Sequence, residues 1–182
     1  MLAEAAELEH NLLCSYLYAA FSLKQDESED VSLHELAAIR RWHGAIMGVC
    51  MEEMVHLAQV ANLMVAVGSR PHFDRPNLPV APGYHPARIQ VALMPFDLDS
   101  LEHFIFLERP ETAPVEDAPG FRAPDASPRR PETGVLMPSA PDYATIGEFY
   151  ELLVQGFDEL AGRLGEVGLF MRKYIFEATG RR

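Results

Sequence analysis

The chain has 182 residues, 48% of them hydrophobic, and a formal net charge of −12. That length suits one domain with a real core, and the composition is too apolar for a disordered chain. No basic stripe marks a nucleic-acid binder, and no apolar run is long enough to span a bilayer. Met1–His10 carries Glu4, Glu7 and Glu9 without a basic cluster, and reads as neither a secretory signal nor a transit peptide. Cys14 and Cys50 stand alone in helical patterns, with no Cys-x-x-Cys. They read as reduced core thiols, which suits the cytoplasm.

Residues 2–24 predict a helix, dominated by Ala, Leu and Glu without Pro or Gly. An acidic, polar connection follows over 25–32. A second, long helix is expected over 33–67, ended by Gly68 with Pro71 just beyond. Residues 69–95 hold six prolines and read as a long crossover. Asp97 or Asp99 can cap a short third helix over 97–109 that stops near Pro110. Residues 110–141 hold eight of the fourteen prolines and read as a second irregular excursion. Thr145 can start a fourth helix over 145–165. The tail is ambiguous, with Phe170, Tyr174 and Phe176 available to dock on the bundle. One all-α domain over 1–182 is expected, in the order of a bundle with one long connection. Other all-α packings fit the same pattern.

Each helical residue advances about 100° around the axis, so the phase of a carboxylate can be read. In the second helix Leu36, Ile39, Trp42, Ile46, Val49, Leu57, Val60, Met64 and Val67 form an apolar stripe. Glu53 falls in its middle and His56 at its edge, one turn on, while Glu52 projects toward solvent. In the first helix Ala5, Leu8, Leu12, Ala19 and Leu23 form the stripe, with Glu9 and Tyr16 inside it and His10 off it. In the third, Leu98, Leu101, Phe104 and Ile105 place Glu108 on the stripe and leave Glu102 and His103 off it. Buried unpaired carboxylates are costly. Three of them on three helices, with a histidine beside one, share an explanation if they hold a metal. Carboxylate and imidazole donors suit iron, manganese or zinc, and Glu-x-x-His on one turn lets both side chains reach one ion.

The fourth helix is less clear. Ile146, Phe149, Leu153, Phe157, Leu160 and Leu164 make its stripe. Glu148 flanks that stripe and Glu151 projects further out. Glu148-x-x-Glu151 has ligand spacing, and a solvated face explains it almost as well.

The runs Glu9-His10-Asn11-Leu12-Leu13-Cys14-Ser15-Tyr16 and Glu52-Glu53-Met54-Val55-His56-Leu57, with Ala61-Asn62-Leu63, Gly68, Pro95-Phe96 and Leu107-Glu108-Arg109-Pro110, carry a resemblance. The chain resembles the ferritin-like domain of the iminophenylpyruvate dimer synthase family, named for enzymes of violacein and rebeccamycin biosynthesis, in a stand-alone bacterial form. The resemblance covers about residues 2–165. It implies a ferritin-like four-helix bundle in which the first and third helices each give a glutamate, and the second and fourth each give Glu-x-x-His. Glu9, Glu53, His56 and Glu108 match that set. Glu151 stands where a histidine is expected, which puts a second ion in question.

The leading functional expectation is a non-haem oxidase or oxygenase. It would hold one or two metal ions, iron or else manganese or zinc, and act on a small amino-acid-derived or natural-product intermediate. In that reading Tyr16 is a hydrogen-bond or radical donor, or else a core tyrosine behind the ligands. The alternatives are a non-catalytic iron-binding protein and a metal-free helical module with its acids paired by Arg40, Arg41 or Arg88. The partner expected is a small-molecule substrate, neither nucleic acid nor membrane, with homodimerisation left open.

Overall fold

Helix α1 (Leu2–Ser22) is the axis of the molecule, and its packing follows from what surrounds it. The computed structural model describes residues 1–75, 77–80, 84–85, 89–110, 113–121 and 143–170. Among these the chain is all-helical, without strands: α1, α2 (Leu33–Ala66), α3 (Leu98–Leu107), α4 (Ile146–Leu164) and a one-turn α5 (Glu166–Leu169). The architecture is an all-helical bundle. No helix among the described residues is long and apolar enough to cross a membrane.

The ends of α2 are set by local chemistry. At the start, the Glu35 amide donates to Ser32 Oγ at 3.3 Å and the Ser32 amide donates to Glu35 Oε2 at 2.8 Å, a reciprocal capping box. At the finish, Gly68 takes a left-handed φ of 82°. There the Ser69 amide donates to Met64 O and the Gly68 amide to Val65 O, so the last carbonyls find donors. At their N-termini, Asp97 caps α3 by accepting from the Ser100 amide and Thr145 caps α4 by accepting from the Glu148 amide.

Helices α2, α3 and α4 all run antiparallel to α1. On α2, His56 lies beside Glu9, and Val60 and Leu63 share a hollow with Leu2. At the other end of α1, the Phe96 amide donates to Ser22 Oγ, and Phe104 sits edge-on to Tyr16. Helix α4 then takes over: Tyr150 meets Glu9, and Leu153 lies by Leu2. So α3 covers the C-terminal half of α1 and α4 the N-terminal half. Arg109 ties their junction, its guanidinium donating to Phe106 O at 2.6 Å and to Ala144 O at 2.7 Å.

The crossover lies along the remaining side of α1. His10 pairs with Phe73 O, the Tyr84 hydroxyl and His72 both reach Glu7, and Asn11 faces His85. This explains why every residue from Glu4 to Glu9 is buried, beyond the single stripe expected for α1.

The phase expected for α3 is wrong. Leu98, Leu101 and Ile105 are exposed, and the buried face is Ser100, His103, Phe106 and Leu107. The stripe exists, but α3 turns it outward and buries the face that carries Ser100 and His103. His103 is tolerated inside because Asp117 pairs with its Nδ1 at 2.8 Å and Phe121 stacks on its ring at 3.8 Å. The α4 stripe is buried only in its first half: Phe149 and Leu153 are inside, and Leu160 and Leu164 are exposed. Trp42 is half-exposed beside Phe96. Of the second proline-rich excursion, residues 122–142 lie outside the described residues, as do Tyr174 and Phe176 of the tail. Phe170 stacks against Phe157 at 6.3 Å.

The same substitution at two glycines of this region should have opposite signs. Gly68→Ala forces a side chain into a left-handed conformation and should cost about 1 kcal/mol. Gly44→Ala, inside α2 where an added Cβ meets nothing within 4 Å, should gain roughly 0.5–1 kcal/mol. Thermal and urea unfolding of the two variants checks this; a stabilised Gly68 variant would contradict the cap.

Candidate metal centre

Glu9 of α1 and Glu53 of α2 face each other in the interior, 2% and 4% exposed. His56, one turn after Glu53, brings its Nδ1 to 3.4 Å from Glu9 Oε2 and 3.7 Å from Glu53 Oε1. One ligand atom from each residue falls within a common 4.8 Å. Glu52 is exposed, as the helical phase requires. His56 is half-exposed, so the cluster is buried on the acid side and reachable on the imidazole side.

No arginine or lysine pairs with either acid among the described residues. Arg41 turns to the carbonyl of Ala37, Arg40 is exposed, and Arg88 lies outside the described residues. Burial pushes the Glu53 carboxyl up to about 10, helped by its contact with Glu9 and by the charges of Glu9, Glu108 and Glu52. Without metal the two acids therefore share a proton, as closely apposed carboxylates do.

The other sequence-derived residues take different places. Glu108 caps the C-terminal end of α3, exposed and outside the 4.8 Å group, yet near enough for its charge to act on Glu53. The Tyr16 hydroxyl donates to Glu108 Oε1 at 2.6 Å. Burial, with Glu108 next to it, raises the Tyr16 pKa and keeps the phenol protonated. Tyr16 thus orients Glu108, and the charges of Glu53 and Glu9 also act on it. Glu148 is not brought to the cluster: its carboxylate accepts from the Ala144 amide at 2.5 Å, completing the cap of α4. Glu151 is exposed.

What α4 contributes is Tyr150, which the sequence reading did not single out. Its hydroxyl donates to Glu9 Oε1. Burial and the neighbouring Glu9 raise its pKa, so it too stays a donor. The available signal was a phenol beside the stripe residue Phe149. The junction of α3 and α4 thus brackets the cluster, Glu108 on one side and Tyr150 on the other.

The donor set fits a cation. Glu9 Oε2 and Glu53 Oε2 are buried without a hydrogen-bond partner. Buried carboxylate oxygens left so are costly, and a metal bound between them and His56 would satisfy both. Two carboxylates and an imidazole suit iron, manganese or zinc.

The Glu53 shift has a pH consequence. Its folded pKa of about 10 lies above the ordinary value of 4.5. The group therefore favours the metal-free fold at acid pH, and that contribution is lost as pH rises from about 5 toward 10. The thermal midpoint of chelator-treated protein should fall across that window. Saturating Mn²⁺ should flatten the fall, and Glu53→Gln should remove most of it. A metal-free midpoint that rises with pH over the same range would contradict the shared proton.

Among curated proteins and among solved structures, no match to the chain is found. The family described as ferritin-like matches residues 2–178. A buried carboxylate pair with an adjacent histidine, on helices of a bundle of this kind, agrees with that match: the chain belongs to the ferritin-like family.

Proposed function

We propose that the chain is a metal-dependent oxidoreductase, with iron or manganese held by Glu9, Glu53 and His56 and a small organic substrate bound beside them. The observation that carries this reading is the trio itself: two buried carboxylates beside a half-exposed imidazole, without an arginine or lysine partner among the described residues, and with their ligand atoms within 4.8 Å. A metal in that place supplies the capacity to activate dioxygen. The protein's part is to hold and shape. Tyr150 donates to Glu9 Oε1 and leaves Oε2 facing His56 and Glu53. Tyr16 steadies Glu108 at the edge, available as a further ligand should a second ion bind.

Turnover is preferred over storage or carriage because an apolar cavity of about 350 Å³ opens on His56 and Tyr150. That volume falls within the range of small-molecule sites, about 300–1,000 Å³, and an iron carrier has no use for it. The resemblance to the iminophenylpyruvate dimer synthase domain supports a natural-product intermediate as substrate. Cys14 and Cys50 are free, which supports work in a reducing compartment such as the cytoplasm. The family match over 2–178 supports a single domain.

Metal content and oxygen uptake test this together. Protein repleted with ferrous iron or Mn²⁺ should retain metal. Glu53→Ala and His56→Ala should each lower retention at least about tenfold, while Glu52→Ala keeps it and changes stability by less than about 0.5 kcal/mol. The ferrous protein should consume oxygen faster than free ferrous iron, and Glu53→Ala should abolish the difference. Equal loss in the Glu52 and Glu53 variants, or no retained metal in the parent chain, would overturn the assignment.

A further inference from the structure

The middle of α2 is apolar on all its faces. From Trp42 to Met51 it carries no Asp, Glu, Lys or Arg, and a helix that is apolar all round is ordinarily covered all round. Only one side is covered within the chain, the side of Leu36, Cys50, Glu53, Val60 and Met64. Gly44, Gly48, Met51 and Val55 fall on the opposite face, and all four are exposed. Met51 and Val55 keep about half of their surface, at 54% and 50%. A Cβ built at Gly44 or at Gly48 meets nothing within 4 Å, so the backbone there is open to close approach.

Charges frame this face in a particular way. Arg41 stands before the uncharged stretch and Glu52 just after it, both exposed. They are three turns apart and within about 20° of each other around the axis, so they lie on one line at the same edge of the face. Arg41 donates to Ala37 O at 3.0 Å, which holds the guanidinium along the outside of the helix. One such bond leaves most of its donors for another acceptor. A second α2 laid parallel would set Arg41 against Arg41 and Glu52 against Glu52. Laid antiparallel, it sets each Arg41 against the other copy's Glu52. The face is thus complementary to itself under a two-fold axis, as the contact of a symmetric dimer must be.

We propose that this outer face of α2 docks on the same face of a second copy. The helices cross antiparallel near Gly48, with two Arg41–Glu52 pairs closing the ends of an apolar contact. A contact of about three turns is small, so the dimer forms and dissociates with concentration in the micromolar range. His56 lies about 100° round the helix from Val55, so docking leaves the open side of the Glu9–Glu53–His56 cluster free. Nothing in this contact depends on the proposed metal chemistry.

Sedimentation of the full chain in low salt tests it. Between about 1 and 200 µM protein, monomer should give way to dimer. Arg41→Glu, which sets like charges together, should weaken the dimer at least about tenfold, and Glu52→Arg should do the same. The double reversal, Arg41→Glu with Glu52→Arg, should restore it to within about threefold of the parent, which a merely misfolded single variant would not allow. Gly48→Leu fills the point of closest approach while improving helix propensity, and should weaken the dimer at least about tenfold. A chain that stays monomeric at 200 µM would overturn the proposal, whether the face is then bare or covered from within the chain. A dimer unmoved by Arg41→Glu and Gly48→Leu would overturn it as well. A double reversal that fails to restore association would overturn the antiparallel pairing.

Discussion

Two carboxylates buried face to face, Glu9 on α1 and Glu53 on α2, are the constraint to which the rest of the structure answers. Ionised together in a dry interior they would repel each other and lose their hydration, a combination folded proteins do not tolerate without a remedy. A shared proton, a protonated imidazole or a metal ion are the remedies within reach, since no arginine or lysine pairs with them among the described residues. His56 sits where the second and third both operate. The long α2 has to hold its phase for this geometry to persist, and its two well-formed ends serve that purpose. At Glu35 the box fixes where the helix begins, and at Gly68 the left-handed turn fixes where it stops.

The tandem placement of α3 and α4 is what gives the cluster its surroundings. Because both run antiparallel to α1, one after the other, their junction falls at the level of the acids. The C-terminal end of α3 offers Glu108, held by Tyr16, and the first turns of α4 offer Tyr150, held against Glu9. Two phenols kept protonated by burial and nearby acids act as fixed donors. The same arrangement leaves the outer edge between α2 and α4 uncovered among the described residues. His56 is half-exposed there and the apolar cavity begins.

Much of this was legible in the sequence because it depends on periodicity and caps. The limits of α1 and α2, the burial of Glu9 and Glu53 and the exposure of Glu52 follow from helical phase in long segments with polar and apolar faces. Less was legible where burial came from elsewhere. The α3 phase failed because that helix turns its apolar stripe outward and buries Ser100 and His103, which helical period alone does not reveal. His103 looked polar enough to be outside, but its partner Asp117 lies on the following segment. Glu7 is buried only because the crossover brings His72 and Tyr84 onto it, contacts that local pattern does not encode. Glu148 was within reach of sequence reasoning: three residues after the cap Thr145, a glutamate commonly turns back to the helix start. Its ligand-like spacing to Glu151 hid that more ordinary role.

The central claim is that a metal ion takes the place of a proton held between Glu9 and Glu53, and proton release measures that exchange directly. In weakly buffered solution at pH 7, anaerobic titration of metal-free protein with ferrous iron or Mn²⁺ should release about one proton per ion bound, because a ligand must deprotonate to coordinate. The release should vanish in Glu53→Ala together with the binding. Metal binding to the parent chain without proton release, or release that persists in the Glu53 variant, would contradict the account.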